Sequence, residues 1–282
     1  MTRVALVTGT SSGIGLFTAV QLAQAGFAVV ATMRNTGKSH ALSQEASAAG
    51  VELDIRALDV CDAASVIACV NGILGDYGRI DLLVNNAGAG FLGTLEETRF
   101  DDLTRVMDTN FYGVWRVTQA VLPHMRRAGG GRIISNTSIG GLIGQPFNDA
   151  YCAAKFAVEG FMESLAPVAA RLGIHVSLIE PGPVHTEFVN TVQEQLGSRQ
   201  VTGTDGAYDV MRAAYLGATS QVFAAVGQSG ADVARVIVRA ATDETPHLRY
   251  PTSDMARAIA ARKYVDPDGD SIVAMTGSRL GQ

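Results

Sequence analysis

Short apolar runs alternate with longer stretches of helical period through the first two-thirds of the chain. Arg3–Val7, Ala28–Thr32, Leu53–Leu58, Leu82–Asn85, Arg132–Asn136 and His175–Glu180 read as strands. Most are apolar at consecutive positions, as in Leu82-Leu83-Val84, which suits a strand covered on both faces of a parallel sheet. Helical periodicity fills the intervals near Ile14–Ala25, Ser39–Ala49, Ala63–Asp76, Leu103–Ala128 and Ala150–Leu172. The alternation predicts an α/β fold with a doubly wound sheet. Pro181-Gly182-Pro183 then breaks the rhythm. Residues 187–228 are polar, rich in Ala and Gly, and helical, and read as a lid over the carboxyl edge of the sheet. Leu248-Arg249-Tyr250 offers a last strand and Ser253–Lys263 a terminal helix. No linker separates a second unit, so residues 1–282 are expected to form a single domain.

Composition narrows the class. The chain has 282 residues, of which 47% are hydrophobic and 17% charged, so disorder is excluded and a large core is available. A net charge of −5 disfavours nucleic acid as a partner. No apolar run reaches bilayer length, and the amino terminus turns glycine-rich at once, unlike a signal peptide. Cys61, Cys69 and Cys152 are scattered, with no ligand spacing, so neither disulfides nor a metal is expected. The expected setting is a reduced, cytoplasmic one.

Strand Arg3–Val7 runs into Thr8-Gly9-Thr10-Ser11-Ser12-Gly13-Ile14-Gly15, and a helix pattern follows. Glycines let the backbone approach a pyrophosphate, and a helix amino terminus offers unpaired N–H groups to it. A tight turn without a ligand would look the same, and the second strand sharpens the choice. NAD sites carry an acidic residue near its end for the ribose 2′-hydroxyl. Ala31-Thr32-Met33-Arg34 has none, and Arg34 is suited to a 2′-phosphate, with Ser11 in the facing loop as a further donor. NADP(H) is the expected cofactor.

Ser138 follows the fifth strand, and Tyr151 and Lys155 stand four apart on one helix face. An adjacent ammonium favours the phenolate, so Tyr151 could exchange a proton with a substrate oxygen that Ser138 also binds.

Thr8–Gly15, Asn85-Asn86-Ala87-Gly88, Asn110, Ser138, Tyr151, Lys155 and Pro181-Gly182, in this order, resemble the short-chain dehydrogenase/reductase family. The resemblance implies a Rossmann-type, three-layer α/β/α domain with a seven-stranded, mostly parallel sheet. It implies hydride transfer between a nicotinamide cofactor and a carbonyl–alcohol pair. Gly9, Ser11, Ser12, Gly13, Ile14, Gly15, Asn86, Ala87 and Gly88 would line the cofactor. Asp59 and Val60 would meet the adenine, and Pro181, Gly182, Val184 and Thr186 would close over the nicotinamide. Asn110 would join Ser138, Tyr151 and Lys155 as a catalytic set, with Lys155 also holding the ribose beside Tyr151. The two long helices resemble those that pair subunits in this family, implying a homodimer or homotetramer.

Longer strings, Gly140–Asp149, Glu180–Phe188 and Ala31–Arg34, are similar to the branch holding 17β-hydroxysteroid dehydrogenase type 1 and the photoreceptor-type retinol dehydrogenase. That implies a bulky apolar alcohol or carbonyl, steroid- or retinoid-like, with Leu142, Phe147 and Phe188 as substrate contacts. Two features depart from the branch. Val210 stands where the estrogen-specific enzyme has a histidine, and the carboxylate that assists it is missing near Thr276–Leu280. Rival readings are a reductase of quinones, acyl-chain ketones or aromatic carbonyls, and a non-catalytic NADP-binding regulator. Cys152 is expected to be a buried core thiol. His185 suits either a substrate contact or solvent.

Overall fold

The computed structural model describes residues 2–186, 206–265, 271, 275 and 277–280. In chain order the elements are β1 (Val4–Thr8), α1 (Gly13–Gln24), β2 (Ala28–Met33), α2 (His40–Ala48), β3 (Asp54–Ala57), α3 (Ala63–Tyr77), β4 (Leu82–Asn85), α4 (Phe100–Met107), a π-helical turn (Asp108–Tyr112), α5 (Gly113–Ala128), β5 (Gly131–Asn136), α6 (Asp149–Ala170), β6 (Ile174–Glu180), β7 (Val184–His185), α7 (Asp209–Val226), β8 (Gln228–Ser229), α8 (Gly230–Thr242), β9 (Arg249–Pro251) and α9 (Asp254–Val265). Seven strands form one sheet in the order β3-β2-β1-β4-β5-β6-β9. All six pairings are parallel, so the expected "mostly parallel" sheet is wholly so.

Alternate strand residues point to opposite faces. Val4, Leu6, Val30 and Ile133 pack against Val70 of α3, Val117 of α5 and Met162 of α6. Ala5, Val7, Val29 and Ile134 pack against Val20 of α1, Leu42 of α2 and Ile237 of α8. Each fully buried aliphatic side chain contributes about 1.5–3 kcal/mol to this three-layer arrangement. The order reverses between β1 and β4. In open α/β sheets the crevice at that point, outside the carboxyl ends of the strands, is where ligands bind.

Three elements differ from the pattern reading. The long helix expected over 103–128 starts at Phe100 and is interrupted by the π turn. Gly230–Thr242 forms α8, a helix that the reading left out. Residues 184–185 and 228–229 pair as a short parallel ribbon. Of the expected lid, 209–226 is helix α7, and residues 187–205, Phe188 among them, lie outside the described residues.

Candidate active site

The turn after β1 is built from glycines that nothing larger could replace. Gly9 and Gly13 have φ of 71° and 58°, in the left-handed region. A Cβ on Gly9 would lie 2.7 Å from Ala87 Cα, and one on Gly15 would lie 2.2 Å from the Gly9 carbonyl oxygen. The Thr8 hydroxyl accepts the backbone N–H groups of Asn86 and Ala87, each at 3.0 Å. The Asn86 amide donates to the carbonyls of Thr8 and Gly9, and the Asn136 amide donates to Asn86 Oδ1 at 3.1 Å. These bonds lock the ends of β1, β4 and β5 together.

Ser12 caps α1 without a side-chain hydrogen bond, and the first turn of the helix carries no acidic residue. Its amino-terminal N–H groups therefore face the crevice with no anion from the chain. Ser11 and Ile14 are half-buried there, and Thr186 lies 3.2 Å from where a Gly13 Cβ would stand. Arg34, the first residue past β2, is exposed and forms no ion pair among the described residues, whereas Met33 is buried. Asp59 Oδ1 accepts the Cys61 N–H at 2.9 Å. Val60 is buried, and its carbonyl accepts from Arg116 at 3.2 Å. The Pro181 carbonyl accepts the Ile139 N–H at 2.9 Å, tying the Pro181-Gly182 loop to the segment after Ser138. Val184 is buried at the base of that loop. Positive-φ glycines, an open helix terminus and an unpaired guanidinium fit a phosphorylated dinucleotide.

The four residues expected to carry chemistry meet on the carboxyl edge. Ser138 and Tyr151 meet around Gly140, where a Cβ would lie 3.4 Å from both Ser138 Oγ and Tyr151 Cε1, and Ser138 Oγ accepts the Gly140 N–H at 3.0 Å. Tyr151 and Lys155 occupy successive turns of α6, with Lys155 Nζ 5.7 Å from the Tyr151 ring centroid. Lys155 Nζ donates to the Asn136 carbonyl at 3.0 Å. Asn110 is fully buried in the π turn. Its amide donates to the carbonyls of Val106 and Ala89, and Oδ1 accepts the Ala89 N–H at 3.2 Å. By engaging the carbonyl four residues back, this side chain displaces the helical ladder, which accounts for the local widening. Gly88 is the meeting point: a Cβ there would lie 2.9 Å from Asn110 Oδ1 and 3.7 Å from Lys155 Nζ.

Burial sets the electrostatics. It lowers Lys155 to about 8, with Glu159 pulling the other way. It raises the Tyr151 hydroxyl above its ordinary range, against the Ser138 hydrogen bond. The expected lowering of Tyr151 by the neighbouring ammonium is thus outweighed, and Tyr151 holds its proton at neutral pH. Cys152 is buried with its thiol pushed up to about 11, consistent with a core role.

Among the expected substrate contacts, Leu142 and Phe147 are buried. Phe147 adopts φ of 62° and packs with Leu92, Tyr208, Met211 and Tyr215, so it bridges the site's rim to α7. His185 is exposed and meets the Phe223 ring edge-on. Thr8 and Asn136 were not foreseen in the sequence. Both sit at strand ends next to residues that were, and their sheet register alone brings them into the site.

A family model described as short chain dehydrogenase matches residues 3–197. Retinol dehydrogenase 8 of Bos taurus is 45% identical over 276 residues, covering 96% of this chain and 88% of that protein. 17-beta-hydroxysteroid dehydrogenase type 1 of Homo sapiens is 42% identical over 280 residues, covering 96% and 83%. The solved structure of a variant actinorhodin polyketide ketoreductase with NADPH aligns with a TM-score of 0.73 at 33% identity, covering 92% and 94%.

Proposed function

The chain belongs to the short-chain dehydrogenase family, and from that premise we propose that it interconverts an alcohol and a carbonyl on a bulky apolar, steroid- or retinoid-like substrate, with NADP(H) as cofactor. The observation that carries the reading is the convergence of Ser138, Tyr151, Lys155 and Asn110 beside an open helix terminus at the switch point. Bound NADPH would supply the hydride. Gly9, Ser11, Ser12, Gly13, Ile14, Gly15 and Arg34 would hold its phosphates, Asp59 and Val60 would serve its adenine, and Asn86, Ala87 and Gly88 would line it. Pro181, Gly182, Val184 and Thr186 would serve its nicotinamide end.

In reduction, Tyr151 donates its proton to the carbonyl oxygen, and the raised affinity of its hydroxyl keeps that proton ready. Ser138 hydrogen-bonds the same oxygen. Lys155, steadied by the Asn136 carbonyl, positions the ribose and stabilises the phenolate that remains. Proton resupply runs through water at the Asn110 edge.

Leu142, and Phe147 backed by Leu92 and Tyr215, favour an apolar substrate, and each buried methylene contributes about 0.8 kcal/mol. Retinol dehydrogenase and hydroxysteroid dehydrogenase relatives above 40% identity support the same class. The ketoreductase likeness favours a second reading, reduction of acyl-chain ketones. A non-catalytic regulator would have little need of all four polar groups together. A panel of ketosteroids, retinal, acyl-chain ketones and small polar ketones, followed by NADPH absorbance with Tyr151→Phe as blank, tests the proposal. Turnover of small polar ketones alone defeats the apolar class, and equal turnover by Tyr151→Phe defeats the catalytic assignment.

The partners we infer are a small apolar molecule and a second copy of the chain, in a homodimer or homotetramer. Tyr112, Trp115 and Phe156 are exposed on the π turn, α5 and α6, and a Cβ on Gly160 would meet open space. No helix among the described residues is long and apolar enough to cross a membrane, and a cytoplasmic setting is part of the proposal.

A further inference from the structure

Behind the candidate site lies a second cluster of charge that the reaction above does not use. Glu159 follows Lys155 by four residues on α6, so the two side chains stack on one helix face. Its carboxylate is almost fully buried, takes the Thr137 hydroxyl at 2.5 Å on Oε1, and pairs through Oε2 with Arg249 of β9. Arg249 also binds Glu180, the last residue of β6, at 2.9 Å, and the exposed Glu163 at 2.7 Å. Thr137 stands between Asn136, whose carbonyl holds Lys155, and Ser138. Its N–H donates to the Ile179 carbonyl at 2.8 Å. The cluster thus joins the three segments that carry Ser138, Lys155 and the Pro181-Gly182 loop.

The packing is tight at this point. A Cβ on Gly141 would lie 3.0 Å from Glu159 Cγ and 3.1 Å from the Lys155 carbonyl oxygen, so the turn after Ser138 rests directly on this stretch of α6. On α6, Lys155 is flanked by Tyr151 and Glu159. Behind Glu159 stand Arg249 of β9 and Glu180 of β6. From the loop after β4 and the π turn, Gly88 and Asn110 approach Lys155, while Asp108 of that turn is held by Arg116 at 2.6 Å. Glu159, four residues along the same helix face, is thus an anion that favours the ammonium of a lysine that burial works to discharge.

We propose that Glu159 is a positioning residue: its carboxylate, fixed by Arg249 and Thr137, keeps the buried Lys155 side chain charged and steadies the strand end that carries Ser138. The inference rests on the proposed working roles of Lys155 and Ser138 for its catalytic consequence, but the charge of Lys155 can be read without turnover. The chain has three lysines, Lys38, Lys155 and Lys263. Full-length protein isotopically labelled at lysine Cε therefore gives three resonances, with Lys155 assigned by Lys155→Arg. In the parent protein Lys155 titrates near about 8. In Glu159→Gln its midpoint moves down by roughly half a unit or more, because the neutral amide no longer favours the ammonium. In Glu163→Gln, whose carboxylate lies out in solvent beyond Arg249, it stays. Coincident Lys155 curves for Glu159→Gln and the parent overturn the proposal.

Glu159→Asp separates charge from shape. It keeps the midpoint at the parent's value, and a drop as large as that for Gln counts against the proposal. Asp also serves if Gln does not fold. In kinetics, the alkaline fall of kcat/KM moves to lower pH in Glu159→Gln and returns with Asp. A parent protein without turnover would sink the functional reading and leave the Lys155 titration standing.

Discussion

Arg34 illustrates how one exposed side chain can decide a cofactor. It lies at the end of β2, where an NAD site would carry a carboxylate, and Met33 beside it is buried and cannot serve. One guanidinium–phosphate interaction contributes on the order of 1.5–3 kcal/mol, so Arg34→Ala should lower the NADPH-to-NADH preference in kcat/KM by about 10- to 100-fold. An unchanged ratio in steady-state kinetics refutes the assignment. Glu180 makes a different residue-scale claim. It is buried, Oε2 has no partner among the described residues, and burial pushes its carboxyl up to about 7. The folded state then keeps a proton that the unfolded chain releases above the ordinary carboxylate range. Stability from this group is present at acidic pH and is lost as pH rises from that range through about 7. The Glu180→Gln protein should lose this dependence, seen as a flatter Tm against pH than the parent's in calorimetry. Parallel curves would show that Glu180 is ionised throughout.

The elements differ in how legibly the sequence announces them. The inner strands are read directly, since Leu82-Leu83-Val84 and its counterparts are apolar on both faces, and only a two-sided parallel sheet covers them. Helix α8 escaped because Gly230–Thr242 opens on a glycine and is bounded by no strong strand. Yet Ser229 and Asp232 form a capping box that marks its start, and Val233, Ile237 and Ala240 form its buried stripe. The π turn at Asn110 could not be read from period alone, because a single side-chain amide bonding to Val106 and Ala89 creates it. Ser138, Tyr151 and Lys155 were legible as spacing and Asn110 only through the family resemblance, whereas the Asn136 carbonyl under Lys155 and the Arg249 cluster depend on which strand lies beside which. At this scale too belongs the proposed pairing of subunits. Trp115 stacks on Phe161 at 4.5 Å yet remains 45% exposed, and Phe111 bridges it to exposed Tyr112. Trp115→Glu would place a charge at the centre of that surface, so the variant should sediment as a monomer at micromolar concentration. A Trp115→Glu dimer of undiminished affinity would move the interface elsewhere.

An ion pair, two hydrogen bonds and an apolar cluster join this site to α7. Arg212 of α7 reaches Glu97, whose side chain is only 2% exposed, and Tyr208 donates to Glu96 at 2.7 Å. Between these bonds and the strand ends lies the apolar group of Leu92, Phe147, Met211 and Tyr215, with the Tyr215 hydroxyl accepting from the Asn148 amide at 2.9 Å. Asn148 is the residue before α6, so the same short segment carries Phe147 on the rim and introduces the helix of Tyr151 and Lys155. A bulky apolar substrate would displace part of this packing, and α7 must close again to exclude water. Removing the cation breaks a largely buried ion pair, at a cost of about 3 kcal/mol, and takes the guanidinium from above the Phe147 ring, which loosens α7 rather than the sheet. Arg212→Ala should therefore raise KM for a steroid- or retinoid-sized carbonyl about tenfold or more, with NADPH affinity unchanged, since Arg212 sits over Phe147 on the rim and not at the Gly9–Gly15 turn. Limited proteolysis should cut within Asp209–Val226 faster than in the parent protein. If KM for small ketones rises as much as for large ones, α7 is not the wall against which substrate size is measured.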